Sequence, residues 1–182
     1  STNLDKVLFN AVTKNRDKVL QILYKYCRKN INWNGNFLLQ RNIILKIISN
    51  LNQSFHPCCN LKSQKRLKTI FKCWGDKIHI NIRNSCGDTL LMSLAKRNNI
   101  NSIKILYKYW HDKVRINARN PYGNTALMCA VKRNYFYIIK MLFKLWGKKI
   151  SLGQTDNNNR NVLSMTTDQR CLEALLDCLL DY

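Results

Sequence analysis

The stretch Asn120–Asn134 reads NPYGNTALMCAVKRN, and thirty-six residues earlier Asn84–Asn98 reads NSCGDTLLMSLAKRN. The two lines agree at Asn, Gly, Thr, Leu, Met and Lys-Arg-Asn. The offset continues far beyond them: Ile80 falls on Ile116, Asn81 on Asn117, Arg83 on Arg119, Ile103 on Ile139, Leu106 on Leu142 and Trp110 on Trp146. One register held through a whole unit marks a tandem architectural repeat, not a catalytic motif used twice.

The register extends in both directions. KRLKTIFKCW (Lys65–Trp74) lies over NSIKILYKYW (Asn101–Trp110), which puts Trp74 in line with Trp110. Leu152, Leu163 and Leu175 take the places of Ile116, Leu127 and Ile139, and Tyr182 that of Trp146. With a different offset, AVTKNRDKVLQILYKY (Ala11–Tyr26) matches AVKRNYFYIIKMLFKL (Ala130–Leu145).

Each unit has the same physical grammar. Asn-x-x-Gly supplies a turn in which Gly87 or Gly123 is free to take a positive φ. Thr89 or Thr125 then opens an apolar run in the manner of a helix cap. A second helix follows, with apolar residues at 103, 106, 107 and 110 and again at 139, 142, 143 and 146. That spacing puts them on one face. Gly75 and Gly147 stand as helix C-terminal glycines, a place that His111 takes in the middle unit. Such a helical pair cannot bury its apolar face alone, and stacking the units makes one continuous core.

This grammar resembles the ankyrin repeat, whose consensus runs Asp-x-x-Gly-x-Thr-Pro-Leu-His-x-Ala-Ala. Here the lines are Asn84-x-x-Gly87-x-Thr89-Leu90-Leu91-Met92 and Asn120-x-x-Gly123-x-Thr125-Ala126-Leu127-Met128. Met92 and Met128 replace the family's His, so the polar link that His makes is expected to be missing. The period exceeds the usual 33 by three residues, in the loop between Trp110 and Ile116. The fold expected is an all-α ankyrin-repeat solenoid of about five units in one domain spanning residues 1–182. The units are 1–30, 31–79, 80–115, 116–151 and a capping unit 152–182. The second is irregular: Phe37 stands where Thr should, and a lengthened first helix at about 37–51 leads through a 52–62 insertion to a helix at about 63–74. CLEALLDCLLDY reads as a final amphipathic helix.

Composition narrows the function. Hydrophobic residues make up 46% of the 182 residues, too many for a disordered chain, and 31 Lys and Arg against 10 Asp and Glu give a net charge of +21. Such a charge points to an anionic partner, whether nucleic acid, an acidic protein surface or an acidic membrane, and does not by itself say which. The sequence has no span long enough for a bilayer and no signal-peptide pattern, so no membrane insertion and an intracellular place, cytoplasm or nucleus, are expected; KSQKRLK (Lys62–Lys68) also reads as a nuclear-import signal. The eight Cys read as reduced thiols.

No phosphate loop, paired carboxylates or Ser-His-Asp set is present, which argues against an enzyme. His56, Cys58 and Cys59, with Cys73 or His79, form the best metal-like cluster, but their spacing fits no zinc knuckle. The expectation is no metal and no cofactor. Trp74, Trp110 and Trp146 are read as core or inter-repeat packing, with a base-stacking platform as the other role such a row could play.

The resemblance implies a non-enzymatic protein-binding scaffold that presents loops and first helices to its partner. Candidate contacts with an acidic protein are Lys77, Arg83, Lys96, Arg97, Lys113, Arg115, Arg119, Tyr122, Lys132, Arg133 and Lys149. The alternative is nucleic-acid binding by a ladder of Lys68, Lys72, Lys104, Lys108, Lys140 and Lys144, pairs four residues apart on second helices; a merely solvated face reads the same way. Lys- and Asn-rich repeats are also similar to those with which viruses and intracellular bacteria intercept host factors. Self-association through the Trp-bearing ends is a third arrangement.

Overall fold

The computed structural model describes residues 3–14, 16–27, 68–69, 71–72 and 79–180. It divides into two compact units, Ser1–Ile82 and Arg83–Tyr182. The irregular first helix at 37–51, the 52–62 insertion with His56, Cys58 and Cys59, and Cys73, Trp74, Gly75, Lys77 and Tyr182 lie outside the described residues.

In the first unit, helices α1 (Asn3–Thr13) and α2 (Asp17–Cys27) pack against each other. Leu8, Ala11 and Val12 of α1 and Leu20 and Leu23 of α2 are buried, the i, i+3, i+4 face of each helix. α1 ends at Thr13, the position that Lys132 holds in the later unit, and α2 begins at Asp17. Asp17 sits in the first turn of α2 and Lys25 in its last, where each complements the helix dipole.

The second unit contains five helices: α3 (Leu90–Ala95), α4 (Ile100–Trp110), α5 (Ala126–Val131), α6 (Phe136–Trp146) and α7 (Gln169–Leu180), with a 3-10 turn at Gly147–Lys149. The short helices α3 and α5 pack on each other, each also packs on the long helix that follows it, and α6 lies between α4 and α7. No strand occurs among the described residues. The all-α stacked arrangement expected from the repeat is therefore present. Gly87 and Gly123 have φ of +75° and +78°, as the turn requires. Gly147 at the end of α6 has φ +28°, whereas His111 at the end of α4 stays right-handed at φ −47°.

Thr89 and Thr125 cap α3 and α5, their hydroxyls accepting from the backbone N–H of Met92 at 3.3 Å and Met128 at 3.2 Å. The link expected to vanish with the family's His is retained in weaker form. The thioether sulfurs of Met92 and Met128 accept from the Thr89 and Thr125 backbone N–H, each at 3.5 Å. A soft sulfur acceptor thus completes a capping box usually closed by Glu or Gln.

Ile103, Leu106 and Trp110 of α4 and Ile139, Leu142, Phe143 and Trp146 of α6 are buried, while Tyr107 is only half-buried. Each such side chain contributes about 1.5–3 kcal/mol relative to exposure. The Trp146 indole donates to the His111 carbonyl at 3.1 Å and meets the Tyr107 ring edge-on at 5.0 Å between centroids. Trp110 and Trp146 are core residues, not a stacking platform.

Candidate functional site

Every residue of α3 and α5 is buried, so the first helices offer a partner only their exits. There the chain must reverse, and Asn98 and Asn134 do this in the left-handed region at φ 54° and 55°. Beside them Arg97, Lys132 and Arg133 are exposed, while Lys96 is half-buried.

The exits border a pocket of about 500 Å³ lined by Lys96, Lys132, Arg133, Arg160, Tyr122 and Asn124 among others. Buried aspartates hold three of the cations. The Asp88 side chain, 5% exposed, pairs with Lys96, and its other oxygen accepts from Asn120 Nδ2 at 2.8 Å. Asp156, with its side chain 2% exposed, takes Arg160 at 2.8 Å and Lys132 at 3.3 Å on one oxygen. Its other oxygen accepts the backbone N–H of Asn158 at 2.9 Å and of Arg160 at 3.0 Å. The Arg160 guanidinium, ahead of the backbone and Lys132 hydrogen bonds, holds the Asp156 carboxyl far below the usual carboxylate range, against an opposing contribution from burial.

Arg133 is exposed and has no carboxylate partner among the described residues. Burial, and next the charge of Arg133, lower the pKa of Arg97, whose guanidinium donates to the Ser93 carbonyl at 3.0 Å. Cys129 lines the pocket, and burial pushes its thiol up to about 11, so it stays protonated at neutral pH. Tyr122 stands at the rim with 66% of its surface exposed.

The pocket thus gathers Lys96, Tyr122, Lys132 and Arg133 from the sequence-derived set. Arg83 and Arg119 lie outside the pocket lining and brace turns: Arg83 donates to the Gly87 carbonyl at 2.7 Å, and Arg119 to those of Gly123 at 3.1 Å and Thr155 at 2.8 Å. Lys113, Arg115 and Lys149 occupy the loops after the second helices and do not line the pocket. Lys149 pairs with Asp112 at 3.2 Å. The Lys ladder is exposed at Lys68, Lys72, Lys104, Lys108, Lys140 and Lys144, with Lys140 paired to Asp177 at 3.2 Å. Sequence reasoning missed Arg160 and Asp156. The signal was present, since Asp156 stands in register with Asn84 and Asn120.

A family model for ankyrin repeats, in three copies, matches residues 55–156. The chain belongs to the ankyrin-repeat family. A search of curated proteins found no match. Ankyrin repeats are in general protein-interaction modules and typically non-enzymatic. Among the described residues of this ankyrin-repeat chain, no helix is long and apolar enough to cross a membrane, and no three or more His, Cys, Asp or Glu side chains are grouped so as to hold a metal ion.

Proposed function

We propose that the chain is a non-enzymatic binding module that captures an acidic segment of a protein partner at the pocket bordered by the first-helix exits. A host protein is the partner class that the Lys- and Asn-rich composition favours. The carrying observation is the imbalance at the pocket: Lys96, Lys132, Arg133 and Arg160 against the almost fully buried carboxylates of Asp88 and Asp156. Cations braced by buried acids keep their positions without a ligand, which lowers the ordering cost of binding.

The test compares a fluorescent Glu-rich peptide with a DNA duplex over a salt series. The peptide is expected to lose most of its affinity with Arg133→Glu and to keep it with Lys104→Glu paired with Lys108→Glu. Duplex binding that exceeds peptide binding, falls steeply with salt and disappears on reversal of the Lys ladder would instead assign the charge to nucleic acid.

A further inference from the structure

We infer that the pocket is a receptor for a phosphomonoester, namely a phosphorylated side chain of the protein partner. The inference rests on the preceding reading that a protein docks at this face. The charges fit the dianion better than a carboxylate. Lys96, Lys132, Arg133 and Arg160 against Asp88 and Asp156 leave two positive charges uncompensated. A carboxylate supplies one negative charge, whereas a phosphomonoester supplies about 1.5 to 2 near neutral pH.

The donors are also in surplus. Each Lys ammonium has three N–H groups, and Lys96 and Lys132 each donate to one aspartate oxygen. Arg160 places Nε and Nη2 on Asp156, which leaves Nη1 for a ligand. Arg133 brings a whole guanidinium fork without a carboxylate partner among the described residues, a geometry suited to phosphate oxygens.

Asn124 lines the pocket and is 6% exposed, and the exposed Tyr122 ring at the rim is placed to cover the residues that flank a phosphorylated side chain.

The experiment uses the full chain, ¹⁵N-labelled, titrated with three probes: a capped Ala-phosphoserine-Ala peptide, its Ala-Glu-Ala counterpart and a 5′-phosphorylated oligonucleotide. The phosphopeptide is expected to bind at least about tenfold more tightly than the Glu peptide, in line with its greater charge. Its saturable shifts should centre on Gly123, Asn124, Arg133 and Asn157. Arg133→Glu should weaken it by about tenfold or more, and Lys104→Glu not at all. Equal affinity for the two peptides, both lost in Arg133→Glu, overturns the phosphate inference and leaves the acidic-partner reading standing. If neither peptide shifts the pocket signals, both fall. Tighter binding of the oligonucleotide at the same residues overturns the protein source of the phosphate.

Discussion

The turn at Asn120 and the turn at Asp156 are built alike, yet only the first leads into a full helix. Asn120 Oδ1 accepts the backbone N–H of Tyr122 and of Asn124, each at 3.0 Å; Asp156 Oδ1 does the same for Asn158 and Arg160. Asn159, at φ 58°, fills the left-handed place of Gly123. Even the cap survives, since Asn161 Oδ1 accepts from Ser164 N at 2.9 Å where Thr125 accepts from Met128. Beyond the cap the two units part: α5 runs through Ala126–Val131, whereas residues 162–165 make a single turn. Leu163 is 43% exposed, although its counterpart Leu127 is 3% exposed. The Thr166 hydroxyl donates to the Val162 carbonyl at 2.7 Å, and Asp168 Oδ1 already caps α7 through Cys171 N at 3.1 Å. Turn and helix are thus separately encoded: side chains that compete for backbone groups stop the helix and leave the turn intact.

The largest break in this comparison is expected at Gly123. A Cβ there would lie 2.6 Å from Asn157 Oδ1 and 2.8 Å from Asn157 N, on a backbone at φ +78°. Gly123→Val should therefore cost on the order of 3 kcal/mol in urea denaturation. At Gly153 nothing lies within 4 Å, and Gly153→Ala should stay within about 0.5 kcal/mol. Equal losses at the two sites would mean that the turn is not the pin of the last unit.

The caps give a smaller contrast. Thr125→Ala removes the cap of a wholly buried helix and should cost about 1 kcal/mol, while Asn161→Ala, capping one turn, should cost about 0.5 kcal/mol by the same denaturation. A reversed order would show that the last unit depends on its short turn more than α5 depends on its cap.

The subtlest contrast is in pH. The folded pKa of Asp156 is depressed, so its contribution is fully present above the unfolded carboxylate value, near pH 4, and is lost as the pH falls toward the folded value. Asp156→Asn should preserve the turn, as Asn84 and Asn120 do, and flatten the acid limb of a Tm profile recorded between about pH 2 and pH 6. An unchanged acid limb would remove Asp156 as the origin of the effect.

Much of the frame was legible in the sequence because it is periodic. Asn-x-x-Gly-x-Thr and the spaced apolar residues of α4 and α6 have few other physical solutions. The site was harder, because direction is not written in residue type. Arg119 reads the same whether its guanidinium faces solvent or, as here, the carbonyls of Gly123 and Thr155. Lys-Arg-Asn was legible as charge, but the Asn was not legible as the left-handed residue that turns the chain. Met92 and Met128 read as apolar, because a thioether's weak acceptor strength shows only where a backbone N–H is placed against it.

Hydrogen bonds tie one repeat to the next, and three of them, Asn120 to Asp88, Trp146 to His111 and Asn157 to Pro121, reach across 32 to 36 residues. Among the described residues of the second unit each helix packs on those of its own or the adjoining repeat, so no distant clasp holds that unit shut under tension. Pulled from Leu180, the second unit should yield like a zipper, shedding α7 before α6 and producing a sawtooth of small releases instead of one rupture.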